Sequence, residues 1–307
     1  MPATDRRRLR WWVPAIAVGL VGLGVGAWAG RVALAEAASW TAERLQDGGA
    51  AVGDWATRLR RIAEAEPGAE IEERAEAAAS RSVLIVVGEG PEDCAFALVA
   101  SAPETPTTLT LLPATLLGVV PGYGAVTLAE ARAFEGPELA ALTVSNELGV
   151  RLDHVLALPA GSLAAALPGG VEVDLPAPLF TDEGNGPVQA LGAGPQSLEA
   201  GQVEMLLVTR GAGGAFEWLQ RQGAAWRGIL NRIAVDPSRA DALAAALPGD
   251  GSGVADLLLA AASAEDLLLG AVPVETVTTL SGEALALSPE ALTGFVPSRL
   301  GFLLLRP

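Results

Sequence analysis

Between residues 127 and 176 the chain reads TLAEARAFEGPELAALTVSNELGVRLDHVLALPAGSLAAALPGGVEVDLP. An apolar pattern of helical period runs into a short apolar strand at 153–158. A small-residue helix at 161–167 follows, then a Pro-Gly-Gly turn and an alternating strand at 171–175. A chain that switches this often between periods of about 3.6 and 2 residues has to bury its helices against a sheet.

The rest of the chain beyond residue 80 repeats this alternation. SVLIVVG, AFALVAS and TTLTLLP read as buried strands, and helices are expected near 127–133 and 137–148. Residues 180–195 hold Gly, Asp and Pro and read as a loop. VEMLLVT reads as a further strand, ending at Arg210. After Gly211, Gly213 and Gly214 a helix is expected over 215–233, with Phe216, Leu219, Trp226, Leu230 and Ile233 on one face. The tail predicts helices near 239–247, 252–262 and 263–269, a strand at 275–280 and a last helix near 288–295. The fold class is therefore α/β, built in layers.

The N-terminus adds a membrane signal. Arg6, Arg7, Arg8 and Arg10 precede an uncharged run over 11–30. At about 1.5 Å per residue such a run spans the hydrocarbon core of a bilayer. Trp11, Trp12 and Trp28 mark the two interfaces, and the arginines belong on the cytoplasmic side. Ala33-Leu34-Ala35 matches a signal-peptidase pattern, but the run exceeds the roughly 7–15 residues of a signal core. The expected division is a basic cytoplasmic tail (1–10), a transmembrane anchor (11–30), a helical stalk (31–80), an extracellular layered domain (81–300) and a C-terminal tail (301–307). Gly22, Gly26 and Gly30 have the G-x-x-x-G spacing, common in membrane helices in any case.

Composition excludes several chemistries. The formal net charge is -16, which argues against a nucleic-acid partner. No lysine occurs, so a P-loop lysine, a Schiff base and a Ser-Lys dyad are excluded. Cys94 and His154 are the single residues of their types, which removes internal disulfides, cysteine metal clusters and multi-histidine metal sites. His154 neighbours Asp153, but neighbours on a strand face opposite ways and form no dyad. Asp182 and Glu183 read as a solvated acidic loop, and Tyr123 as a turn residue.

The segment VTRGAGGAFEWLQRQ, over 208–222, is the best local candidate site. A strand ending at Arg210, a glycine loop and a helix start would present free N–H groups to an anion. Arg210 and Arg221 would grip a pyrophosphate bidentately. The bland alternative is a plain turn with surface arginines.

Taken in order, these segments resemble the LytR-CpsA-Psr family over residues 82–300. GPEDCAF places Asp93 at the aspartate of an R-T-D-T-type motif, and LLPATL echoes S-I-P-R-D-T with Ala114 and Thr115 in place of Arg and Asp. ARAFEGPELAALTVSNELGVRLDHV echoes A-Y-x-x-G-G-P-E-L followed by T-V-E-x-L-L-G-I-x-I-D-H-Y. LAAALPGGVEVDLP echoes L-V-D-A-L-G-G-V-x-V-x-V-P. LEAGQVEMLLVTR echoes L-x-G-x-Q-A-L-x-Y-V-R-x-R, with Arg210 at the last Arg and Val208 at the first. AFEWLQRQ echoes D-F-G-R-x-x-R-Q, with Arg221 and Gln222 matching, Trp218 replacing Arg and Ala215 replacing Asp.

The resemblance implies a layered α-β-α domain with a central mixed sheet. It implies a membrane-anchored enzyme that transfers a glycan from a polyprenyl-pyrophosphate carrier to peptidoglycan. Arg210 and Arg221 would be catalytic and, with Gln222, substrate-binding; Asp93 would hold Mg²⁺. The missing arginines at 114, 208 and 218 remove charge where a transferred phosphate needs it. A second expectation is therefore a catalytically weakened relative that binds polyprenyl-linked lipid or scaffolds the cell-wall machinery. A third is a membrane-anchored interaction domain without a ligand.

Overall fold

Uninterrupted apolar strands need cover on both faces, and three of them form the centre of this fold. The computed structural model describes residues 81–304 apart from 92, 121–122, 183, 185, 248–250 and 280–281. The expected basic tail, membrane anchor and stalk lie outside these residues. No helix among the described residues is long and apolar enough to cross a membrane.

Strands β1 (Arg81–Gly88), β2 (Cys94–Ser101) and β3 (Thr108–Leu112) form an antiparallel meander. A small hairpin of β4 (Leu117–Val120) and β5 (Gly124–Thr127) leads into α1 (Leu128–Glu135) and α2 (Pro137–Leu148). Thr127 and Glu130 form a capping box that starts α1, and Gly149 in the left-handed region ends α2. Then come β6 (His154–Leu158), α3 (Ser162–Ala166) and β7 (Val171–Leu175). Strands β8 (Leu179–Asp182) and β9 (Pro187–Leu191) pair as a hairpin, while β10 (Gly194–Leu198) returns to β7. The helices α4 (Ala200–Val208), α5 (Ala215–Val235), α6 (Ser238–Ala244) and α7 (Ser252–Ser263) follow. The chain closes with β11 (Leu268–Ala271), β12 (Val274–Thr279), β13 (Gly282–Leu287), a π turn at Ala291–Phe295 and α8 (Val296–Leu300).

The main sheet has the order β11-β3-β2-β1-β6. Because β6 runs parallel to β1 and β11 parallel to β3, the sheet is mixed, as expected. Strand alternation divides its side chains between two cores. Val83, Ile85 and Val87 face a core built by α3, α4, α5, α6 and α7. Leu84, Val86, Cys94 and Phe96 face a second core built by α1, α2 and the C-terminal elements. This is an α-β-α sandwich. The packing of α5 on β7 is close enough to require glycine: a Cβ at Gly228 would lie 2.6 Å from the Glu172 carbonyl oxygen.

Three expected elements differ. The run VEMLLVT is part of helix α4, not a strand. Val203, Leu206 and Leu207 are buried at helical spacing, and the Glu199 N–H donates to Gln202 Oε1 (2.9 Å), which fixes the helix start. The helix expected over 263–269 is instead the end of α7 and the start of β11. Ala264 turns extended after α7, and the apolar run pairs with the edge of β3. The loop expected over 180–195 is mostly the β8–β9 hairpin and the start of β10. Asp182 Oδ1 accepts the Gly184 N–H (2.8 Å) and closes its turn. Strands β4, β5 and β13 were not expected; each is short and held by its hairpin partner.

Candidate functional site

The last carbonyls of a helix have no partner within it, and α4 ends in the middle of the candidate segment. The Leu207 carbonyl accepts from Trp218 Nε1 (2.8 Å) and from Gln222 Nε2 (2.7 Å). The Arg210 carbonyl accepts from Arg221 Nη2 (2.6 Å). Trp218, Arg221 and Gln222 lie at helical spacing on one face of α5, so this face brackets the end of α4. Gly211 has φ +68° and passes directly over β8, where a Cβ would sit 2.6 Å from the Phe180 carbonyl oxygen. The turn is thus shaped by two helices and a hairpin.

This geometry changes the electrostatics expected of the segment. A strand-turn-helix would expose one positive helix end to an anion. Here the C-terminal end of α4 meets the N-terminal end of α5, and helix ends carry about half a charge of opposite sign. The two ends offset each other. The Ala212 N–H is also already used by the Phe180 carbonyl (3.1 Å).

The two arginines are not equivalent. Arg210 is exposed. Arg221 is 1% exposed, and burial draws its pKa down while Glu217, with Oε2 3.9 Å from Nη1, raises it again. Arg221 Nε and Gln222 Oε1 are buried without hydrogen-bond partners. Asp93 is exposed in the turn between β1 and β2, where Gly88, at φ +87°, makes room for the Asp93 carbonyl. Among the described residues no three His, Cys, Asp or Glu side chains converge. A Mg²⁺ held at Asp93 would therefore take its other ligands from substrate phosphates and water.

Two of the three positions where the resembled pattern has arginine lie in the core, while Val208 is half-buried against the opposite cluster. Ala114 (5% exposed) and Trp218 (2% exposed) belong to one apolar cluster together with Cys94, Phe96, Leu112 and Leu116. Burial pushes the Cys94 thiol up to about 11, against a smaller opposite effect of Arg132. Asp153 accepts from the Ser82 N–H (2.9 Å) and hydroxyl (3.0 Å), and pairs with Arg151 Nε (3.1 Å), so its carboxylate ties β1 to β6 rather than serving His154. Tyr123 stacks on Phe134 at 4.9 Å and donates to Glu135 (2.6 Å). The sequence reading missed Trp218 as a hydrogen-bond donor. An indole at helical spacing from Arg221 and Gln222 was the available signal.

No protein-family model matches the chain, and no curated protein matches it. Solved structures do. A LytR-Csp2A-Psr enzyme from Actinomyces oris is 21% identical, with 75% of this chain and 91% of that one aligned at a TM-score of 0.55. The LytR-CPS2A-psr family protein YwtF (TagT) with bound octaprenyl pyrophosphate lipid is 18% identical, with 76% and 94% aligned at 0.57. A transcriptional regulator from Enterococcus faecalis is 21% identical, with 74% and 90% aligned at 0.58. The described part of this chain has the LytR-CpsA-Psr fold.

Proposed function

We propose that this protein serves cell-wall glycopolymer metabolism as a LytR-CpsA-Psr relative that binds a polyprenyl-linked lipid and has lost the transfer chemistry. The observation that carries this reading is the burial of Ala114 and Trp218 in one apolar cluster. Phosphoryl transfer needs positive charge fixed on both the transferred and the leaving phosphates. Two positions where the family pattern has arginine now lie in one apolar cluster with Phe96 and Leu116, and Arg221 is buried with its Nη2 donating to the Arg210 carbonyl. Arg210 keeps an exposed guanidinium beside the same turn. The fold shared with TagT, whose structure holds octaprenyl pyrophosphate, supports the choice of lipid. Membrane attachment through residues 11–30 would place the domain beside such lipids.

The test uses the purified full-length chain, a polyprenyl-pyrophosphate-linked glycan, peptidoglycan and Mg²⁺. The expected result is thermal stabilisation by the lipid with no glycan joined to peptidoglycan and no phosphate-linked product released. Transfer above the no-protein blank would overturn the loss of chemistry and support an active ligase. Absence of stabilisation at every lipid concentration would overturn the lipid reading and leave an interaction domain.

A further inference from the structure

Strand register brings Cys94 and Ala114 to the same end of the main sheet. Phe96 pairs with Leu112, and continuing that antiparallel register sets Cys94 opposite Ala114. Helix α1 is seated on this end by two backbone bonds: the Leu128 N–H donates to the Leu116 carbonyl (2.9 Å) and the Ala129 N–H to the Ala114 carbonyl (3.0 Å). Arg132 comes three residues after Ala129 and four after Leu128, both buried against the sheet. That spacing puts it on the same helix face.

Arg132 is half-buried there, and its Nε is shut off from water without a hydrogen-bond partner. Buried N–H groups are nearly always satisfied, so an orphaned one at a charged side chain calls for an explanation. Neighbouring carboxylates of α1 are committed elsewhere. Glu130 accepts the Thr127 N–H (2.7 Å), and Glu135 accepts the Tyr123 hydroxyl (2.6 Å). Burial raises the pKa of the Cys94 thiol and the Arg132 guanidinium lowers it by a smaller amount. In the segment ARAFEGPEL, Arg132 stands where the family pattern has tyrosine.

We infer that Arg132 is a relocated anion-binding residue: it supplies, from α1, the guanidinium that position 114 has lost, and it takes a phosphate oxygen of the bound prenyl lipid. This rests on the lipid-binding reading above.

The experiment titrates the purified full-length chain with farnesyl pyrophosphate, inorganic pyrophosphate and farnesol, reading affinity by calorimetry and folding by the thermal midpoint. Wild type is expected to bind farnesyl pyrophosphate, Arg132→Gln to bind it about ten- to a hundred-fold more weakly at an unchanged ligand-free midpoint, and Arg132→Lys to recover part of the loss. If Arg132→Gln lowers the midpoint, the comparison of Arg132→Lys with wild type decides. Equal affinities of wild type and a folded variant overturn the role of Arg132 and leave the lipid reading intact. No binding by wild type overturns the lipid reading and this inference with it. Equal binding of inorganic and farnesyl pyrophosphate, both weakened by Arg132→Gln, supports Arg132 as the anion residue and overturns a lipid as its source.

Discussion

Arg221 Nη2 donates a 2.6 Å hydrogen bond to the backbone carbonyl of Arg210. The two arginines that the sequence sets out as a pair of phosphate ligands are therefore divided in role. One guanidinium is buried and holds the backbone of the other, whose own guanidinium stays in solvent.

Replacing Arg221 should then be a stability change first. Arg221→Ala leaves the Arg210 carbonyl without its donor and opens a cavity under the glycine turn. The expected loss is about 2–4 kcal/mol, from an unmade charge-assisted bond and lost packing. Chemical denaturation of wild type and variant measures it. A fully stable Arg221→Ala variant with abolished lipid binding would show instead that the side chain is kept for ligand.

Restoring the family residue at 218 should be costly. Trp218→Arg puts a cation into the cluster of Phe96, Leu112 and Leu116 and removes the indole bond to Leu207. Unpaired buried charge and broken packing together predict a loss of about 3–5 kcal/mol. Trp218→Phe, which loses mainly the bond, should cost about 1–2 kcal/mol. If Trp218→Arg is as stable as wild type, the site opens to water and the apolar reading of this cluster fails.

Cys94 should be silent to thiol reagents in the native state. Its side chain is 0% exposed, and burial lifts its pKa from 9.0 to about 11. The sign follows from the thiol being neutral when protonated. Its contribution to stability is whole below pH 9.0 and is lost as pH rises towards about 11, because the unfolded chain ionises first. Alkylation at pH 8 should proceed only in denaturant. Stability measured across pH 8–11 should fall more for wild type than for Cys94→Ala.

Gly228→Ala tests the contact between helix and sheet. Its Cβ would meet the Glu172 carbonyl at 2.6 Å, so α5 has to move away from β7. Overpacking of this kind costs about 1–3 kcal/mol. Gly201→Ala, in the first turn of α4, has nothing within reach of its Cβ and should stabilise by up to about 1 kcal/mol through the lower entropy of the unfolded chain. Thermal midpoints of the pair, measured together, should move in opposite directions.

Most of the fold was legible as pattern. The runs SVLIVVG and AFALVAS, the helices after Thr127 and the long helix from Ala215 follow from apolar period, caps and glycine. The errors fall where period is ambiguous. VEMLLVT is too short and too apolar to distinguish strand from helix by composition, and the Glu199–Gln202 cap was the overlooked arbiter. LLGA became a strand because the edge of β3 was free to pair with it. The candidate site was half legible: Asp93, Arg210, Arg221 and Gln222 could be named, but not what each one touches.

By itself the sequence determined the alternation of strands and helices, the absence of lysine, histidine-cluster and internal disulfide chemistry, and the apolar residues Ala114, Val208 and Trp218. Those are local properties, set by residue type and spacing. Tertiary structure alone decided that Arg221 turns inward to the Arg210 carbonyl, that Ala114 and Trp218 share one dry cluster, and that Arg132 reaches the Cys94 end of the sheet. These depend on how α1 and α5 dock against elements far away in the chain. Burial, which sets the cost of a charge and the worth of a hydrogen bond, exists only after that docking.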